Sequence, residues 1–201
     1  MARAARKRKK IDTWKTKRWY TIHTPKMFGE AKIGETLTSS PESLIGRVVE
    51  TTMKDLTGDI SKQHVKLKFQ ITDVKGDKAY TKFKCQSLSR DYMRSQIRRK
   101  TTRVEGVTDV VTKDGSKLRV KTIALAIGRA QTAQEKAIRR IMSSKVLRAA
   151  KRATLDRFIQ EVVLGKTSSE MYKAASKIYP LKRVEVRKVR VLASGARRRS
   201  G

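Results

Sequence analysis

Residues 63 to 100 constrain the fold more than any other stretch. Val65, Leu67, Phe69 and Ile71 alternate with Lys66, Lys68, Gln70 and Thr72. A period of two puts the apolar set on one side of an extended chain and the polar set on the other, as in a strand with one face buried. Lys75-Gly76-Asp77-Lys78 is a turn whose glycine is free to take positive φ. The return run, Ala79 to Leu88, sets Ala79, Thr81, Phe83 and Cys85 on one face and Tyr80, Lys82 and Lys84 on the other. The pattern predicts a β-hairpin with an apolar inner face and a lysine-rich outer face. The period then changes. Ser89 can cap a helix by accepting from unpartnered N–H groups of the first turn. Asp91 suits the positive end of that helix. Tyr92, Met93, Gln96 and Ile97 recur at helical spacing among Arg90, Arg94, Arg98, Arg99 and Lys100. A strand pair feeds a cationic helix, which is either a solvated surface or a phosphate-binding one.

Composition bears on that choice. The 201 residues carry 50 Lys and Arg against 18 acids, a formal net charge of +32. Self-repulsion of this size opposes compaction, and a polyanion relieves it. Hydrophobic residues at 38% allow a core, while aromatics at 5% limit base-stacking platforms. Backbone phosphate is the expected target. Cys85 is the one cysteine, so no internal disulfide forms and a reducing compartment is expected. Its place on the inner face of the hairpin reads as a buried small apolar residue and not as a reactive thiol. No apolar run approaches a membrane span, and the basic N-terminus lacks the apolar core of a secretory signal.

Residues 1 to 18 form a charged arm, with Arg3, Arg6, Lys7, Arg8, Lys9, Lys10, Lys17 and Arg18 as candidate phosphate contacts. Alone it buries too little to order itself. Trp14, Trp19 and Tyr20 need a surface to lie on, either RNA or the protein's own core. Thr21 to Phe28 reads as extended chain, with Pro25 at an edge. Gly29 to Ser40 reads as a polar loop. Ser40-Pro41 starts one helical turn through Leu44. Gly46 to Leu56 reads as a strand with Val49, Thr51 and Met53 on one side, and Thr57-Gly58-Asp59 as a turn. Thr101 to Val111 and Leu118 to Ile127 read as strands joined at Lys113-Asp114-Gly115-Ser116, the second covered on both faces in its latter half.

Gly128 ends that strand. A helix is predicted from about Thr132 to Arg152, with Ile138, Ile141, Met142, Val146 and Ala149 on one face and Arg129, Lys136, Arg140 and Lys151 opposite. Glu135 is the sole acid between Arg129 and Arg152, so i,i+4 ion pairing does not account for the ridge. Residues 153 to 164 form another helix, ended by Gly165. Ser168 or Ser169 starts a third helix that stops at Pro180. The final strand spans LKRVEVRKVRVLA, and a parity shift near Arg187-Lys188 predicts a bulge. The tail, residues 193 to 201, carries Arg197, Arg198 and Arg199. The expected organisation is an arm (1–18), one domain (19–192) and a tail (193–201).

Catalytic and metal chemistry lack support. His23 and His64 stand apart from any second ligand type, the glycines lack a phosphate-loop ending, and the acids are scattered. No cofactor, metal or small-molecule substrate is expected.

Four stretches resemble a known family. They are Trp14-Lys15 through Trp19-Tyr20 with PKMFG at Pro25 to Gly29; IGRVVETTMKDLTGD from Ile45; SLSRDYMRSQIRRK from Ser87; and TKDGSKLRVKTIALAIGRAQT from Thr112. Together they are similar to the archaeal and eukaryotic small-subunit ribosomal proteins of the S-one-e (S-three-a-e) family. The end soon after Leu192 resembles the archaeal form. The resemblance implies an α+β fold, with a mainly antiparallel, β-barrel-like sheet and packed helices. It implies a cytoplasmic, ribosome-associated protein without catalysis or cofactor. Its place would be the small-subunit platform near the 3′ end of the rRNA and the mRNA exit. Its partners would be small-subunit rRNA, neighbouring small-subunit proteins and mRNA near the exit. The rival expectation is a free RNA- or DNA-binding regulatory module.

Overall fold

The computed structural model describes residues 14–194. The strands are β1 (Arg18–His23), β2 (Lys32–Thr38), β3 (Val48–Thr52), β4 (Val65–Lys75), β5 (Lys78–Leu88), β6 (Arg103–Val111), β7 (Lys117–Ala126) and β8 (Leu181–Ala193). The helices are α1 (Met53–Thr57), α2 (Arg90–Gln96), α3 (Thr132–Arg152), α4 (Leu155–Val163) and α5 (Lys166–Ala175).

All eight strands join one sheet. Strand β5 is its hub. One edge pairs with β4. The other is divided between β1, parallel at Lys78 to Tyr80, and β8, antiparallel at Cys85 to Ser87. The main path therefore runs β3-β4-β5-β8-β7-β6, with β1 and β2 branching from β5. Strands β3 and β6 each keep one partner among the described residues. The sheet is mostly antiparallel and open, which corrects the barrel-like expectation: it forks at β5 and does not return to its first strand.

The helices α3, α4 and α5 cover one face, called inner here. Ile138, Met142, Val146 and Ala150 of α3 pack with Val104 of β6 and with Leu118, Val120, Ala124 and Ala126 of β7. Each of these α3 residues is fully buried, and burying a side chain the size of Ile138, Met142 or Val146 contributes about 1.5–3 kcal/mol. Phe158 of α4 and Met171 of α5 extend this core. A second cluster joins Leu67, Phe69 and Phe83 to Ile159 and Val163, and a third holds Tyr20, Ile22, Leu44, Ile71 and Ala79. On the outer face Met93 of α2 covers Ile123 and Leu125.

The predicted hairpin, the one-turn helix at Pro41–Leu44 and the bounds of α3 agree with the structure. Other expectations need correction. Gly29 to Ser40 is no loop, since β2 lies within it and pairs antiparallel with β1, with one register shift that leaves Ile33 surplus. The β1 strand ends at His23, and Pro25 precedes a short 3-10 turn instead of continuing extended. The strand predicted to Leu56 stops at Thr52, where a capping box starts α1: the Asp55 N–H donates to the Thr52 hydroxyl and the Thr52 N–H donates to the Asp55 carboxylate. The α5 helix begins at Lys166, because Gly165 at φ 86° turns the chain straight into it. Arg129 lies ahead of α3, and Arg98, Arg99 and Lys100 follow the end of α2.

Cys85 is buried as expected, but on the other face. Lys68 pairs with Cys85 and Phe69 pairs with Phe83, so Lys84 is a surplus residue in β5. Directly paired residues share a face, so Cys85 lies with Lys68 on the outer side and Gln86 joins Leu67 inside. The bulge expected near Arg187 is present, and it is one of three. Register shifts against β7 leave Lys182, Arg187 and Leu192 surplus in β8. Each produces two consecutive exposed residues: Lys182-Arg183, Arg187-Lys188 and Leu192-Ala193.

Candidate nucleic-acid interface

The outer face carries continuous rows of paired residues. One row crosses six strands: Glu50, Lys68, Cys85, Arg190, Arg119 and Asp109. The next runs Thr52, Lys66, Ser87, Lys188, Lys121 and Val107. Arg119 thus stands opposite Arg190, and Lys121 opposite Lys188. Like charges directly opposed across strands destabilise a sheet. The four cations, with Leu192, line a shallow hollow of ≈ 130 Å³.

Carboxylates hold the rim. Glu50 takes the Lys66 ammonium at 2.9 Å and the Lys68 ammonium at 2.7 Å, and these two lysines draw its carboxyl below the usual range. Asp109 accepts from Arg119 Nε and Nη2, both at 2.7 Å, and the paired guanidinium lowers its pKa. Lys121, Lys188 and Arg190 pair with no carboxylate among the described residues. Beneath them the Cys85 thiol is pushed up by burial, an effect that Lys188, Lys68 and Arg190 oppose.

At one end the strip meets α2. The Tyr92 hydroxyl donates to Glu185 Oε1 at 2.7 Å, and Arg183 Nη1 donates to the same hydroxyl. His64 stacks on the Tyr92 ring with centroids 4.0 Å apart. Burial and the Glu185 carboxylate push the Tyr92 pKa up to about 12. Glu105, paired with Ile123 in the same outer row as Glu185, takes Arg187 at 3.0 Å and Arg103 at 3.4 Å.

The sequence-predicted cations fall into separate groups. Arg90 and Arg94 are exposed on α2, and Arg98, Arg99 and Lys100 are exposed just after it. Lys136, Arg140 and Lys151 share one exposed side of α3, facing away from the sheet, while Arg129 is exposed in the preceding loop. The α3 ridge and the β7–β8 strip therefore lie on opposite sides of the sheet. Trp14 and Trp19 are 65% and 62% exposed, and the Lys17 ammonium sits 4.4 Å from the Trp14 ring centroid. Tyr20, by contrast, belongs to the core, and Arg18 opens β1. Arg3, Arg6, Lys7, Arg8, Lys9, Lys10, Arg197, Arg198 and Arg199 lie outside the described residues.

Arg119, Lys121, Lys188 and Arg190 were not among the residues read from sequence. Their alternation with Leu118, Val120 and Val189 was visible; their adjacency depends on the β7–β8 register. Among the described residues no group of three metal-ligating side chains forms, and no helix is long and apolar enough to cross a membrane.

The family model for the Ribosomal S3Ae family matches residues 5–195. Proteins named small ribosomal subunit protein eS1 align along most of the chain. That of Desulfurococcus amylolyticus is 49% identical over 90% of this chain and 85% of its own. That of Methanothermobacter thermautotrophicus is 48% identical over 96% and 98%, and that of Archaeoglobus fulgidus 45% over 98% and 94%. With the predicted motifs and this coverage in agreement, the chain belongs to the ribosomal S3Ae family.

Proposed function

We propose that the protein is a non-catalytic structural constituent of the small ribosomal subunit, acting in the cytoplasm within the ribosome by binding and stabilising rRNA. The observation that carries the RNA-binding reading is the opposed pair Lys121 and Lys188 on β7 and β8, left without acidic partners among the described residues on a face open to solvent. Family membership and the names of the relatives support the ribosomal reading. The cationic side of α3 faces the other way, so the chain can bridge two RNA elements. Arginine suits such contacts because its planar fork can hold two phosphate oxygens. The finer placement, on the platform near the 3′ end of the rRNA and the mRNA exit with neighbouring proteins and mRNA at hand, is part of the same proposal. Within it, the exposed arginines and lysines around α2 and α3 serve as backbone contacts together with the basic residues of both terminal segments, and residues 19–192 act as one domain between them.

Sedimentation of a native extract at high salt tests the reading. Co-migration with small subunits at near one copy each is the expected result. A pool that stays at the top of the gradient at low and high salt alike favours a free nucleic-acid-binding module. Arg94→Glu with Arg98→Glu should impair incorporation while leaving the fold intact, and normal incorporation removes the α2 region from the interface.

A further inference from the structure

We propose that the β7–β8 strip is a track for one sugar-phosphate backbone of RNA, laid along the strands; this rests on the RNA-binding reading above. One phosphate sits between Arg119 and Arg190, and the next between Lys121 and Lys188. Neighbouring strands lie about 5 Å apart, so a backbone over the β7–β8 seam meets a cation on each side. Two residues along a strand advance about 6.7 Å, comparable to the spacing of consecutive phosphates in an extended single strand. The strip is fenced laterally. Asp109 on β6 flanks Arg119, and Glu50 on β3 closes the far end of the same row by binding Lys66 and Lys68. At the third side stand Glu105, Glu185 and α2, whose Met93 covers Ile123 and Leu125. A second backbone on the β6 side would lie over Asp109, and one on the β5 side would lie over Cys85 and Ser87, which offer no cation. The cation-lined floor therefore selects one strand and sets its direction parallel to β7 and β8.

The test uses the full chain and a short uridine oligonucleotide. Lysine acetylation followed by mass spectrometry should show Lys121 and Lys188 protected together as the oligonucleotide saturates. A duplex of equal length should leave both reactive. Lys121→Gln with Lys188→Gln should weaken single-strand binding roughly tenfold and flatten the salt slope by about 0.7 for each lost phosphate contact. If the native chain binds RNA with a steep salt slope while both lysines stay reactive at saturation, the track is wrong and the RNA-binding reading stands. Equal protection by duplex overturns the single-backbone claim. If the native chain binds no RNA, the underlying reading fails as well. The protection measurement uses unmodified protein, so misfolding of a variant does not obscure the result.

Discussion

Arg119 and Arg190 stand directly opposite each other on β7 and β8, and of the two only Arg119 has a carboxylate, Asp109, to hold it. Placing two guanidinium groups side by side costs the free protein stability that a bound anion restores. Arg190→Thr should therefore raise the melting temperature of the isolated chain, by an amount equivalent to about 0.2–1 kcal/mol, and lower its RNA affinity. A melting temperature that falls in low salt without RNA contradicts an unfavourable pair.

Tyr92 fastens α2 to β8 through Glu185. Its folded pKa is about 12, against an unfolded value near the ordinary 10. Between those values the unfolded chain loses the proton first. The contribution of this tyrosine to stability is thus full below pH ~10 and is lost as pH rises through ~12. Spectrophotometric titration should show one tyrosine ionising late, and Tyr92→Phe should abolish that late step. The same substitution should cost about 1.5–3 kcal/mol, the range for hydrogen bonds to charged groups.

The Thr52–Asp55 box starts α1 and stops β3. Hydrogen bonds from the Thr52 backbone and side chain depress the Asp55 pKa. A depressed carboxylate contributes stability above its unfolded pKa and loses it as pH falls through the folded one. Thr52→Ala should cost about 1 kcal/mol at neutral pH. Acid titration of stability should show a shallower loss in Asp55→Asn than in the parent.

Gly106 lies on β6 where α3 crosses the sheet. A Cβ there would sit 3.0 Å from the Thr122 hydroxyl and 3.6 Å from Arg139 Cγ. Gly106→Val should destabilise the chain by about 1–3 kcal/mol through overpacking, measured by urea unfolding. An unchanged midpoint would show that α3 can lift away freely.

Strong periodicity made some elements legible. The Val65–Ile71 alternation and the Ile138–Met142–Val146 stripe mapped directly onto β4 and α3. The β2 strand was opaque because Thr38 is its one buried residue, and pairing with β1 rather than an alternating core pattern holds it extended. The outward turn of Cys85 follows from the surplus Lys84, which local alternation does not disclose because the shift exists only relative to β4. The cationic strip was hidden for the same reason: Arg119 and Arg190 are 71 positions apart in the chain, and their meeting depends on β8's register. The charged surfaces of α2 and α3 were visible as runs, but whether they shared a side with other cations was a question of topology.

The three surplus residues of β8 also bear on how this strand tolerates changes in length. Lys182, Arg187 and Leu192 recur every five residues, and each lets the chain slip by one without turning the following segment inside out. An ordinary strand that loses one residue exchanges its core and solvent sides along the remainder. Here a deletion at a surplus position removes the local slack and leaves Val184, Val186 and Val189 facing the core. The longest strand of the sheet can thus absorb small deletions within itself, at the positions where its chain is already in excess.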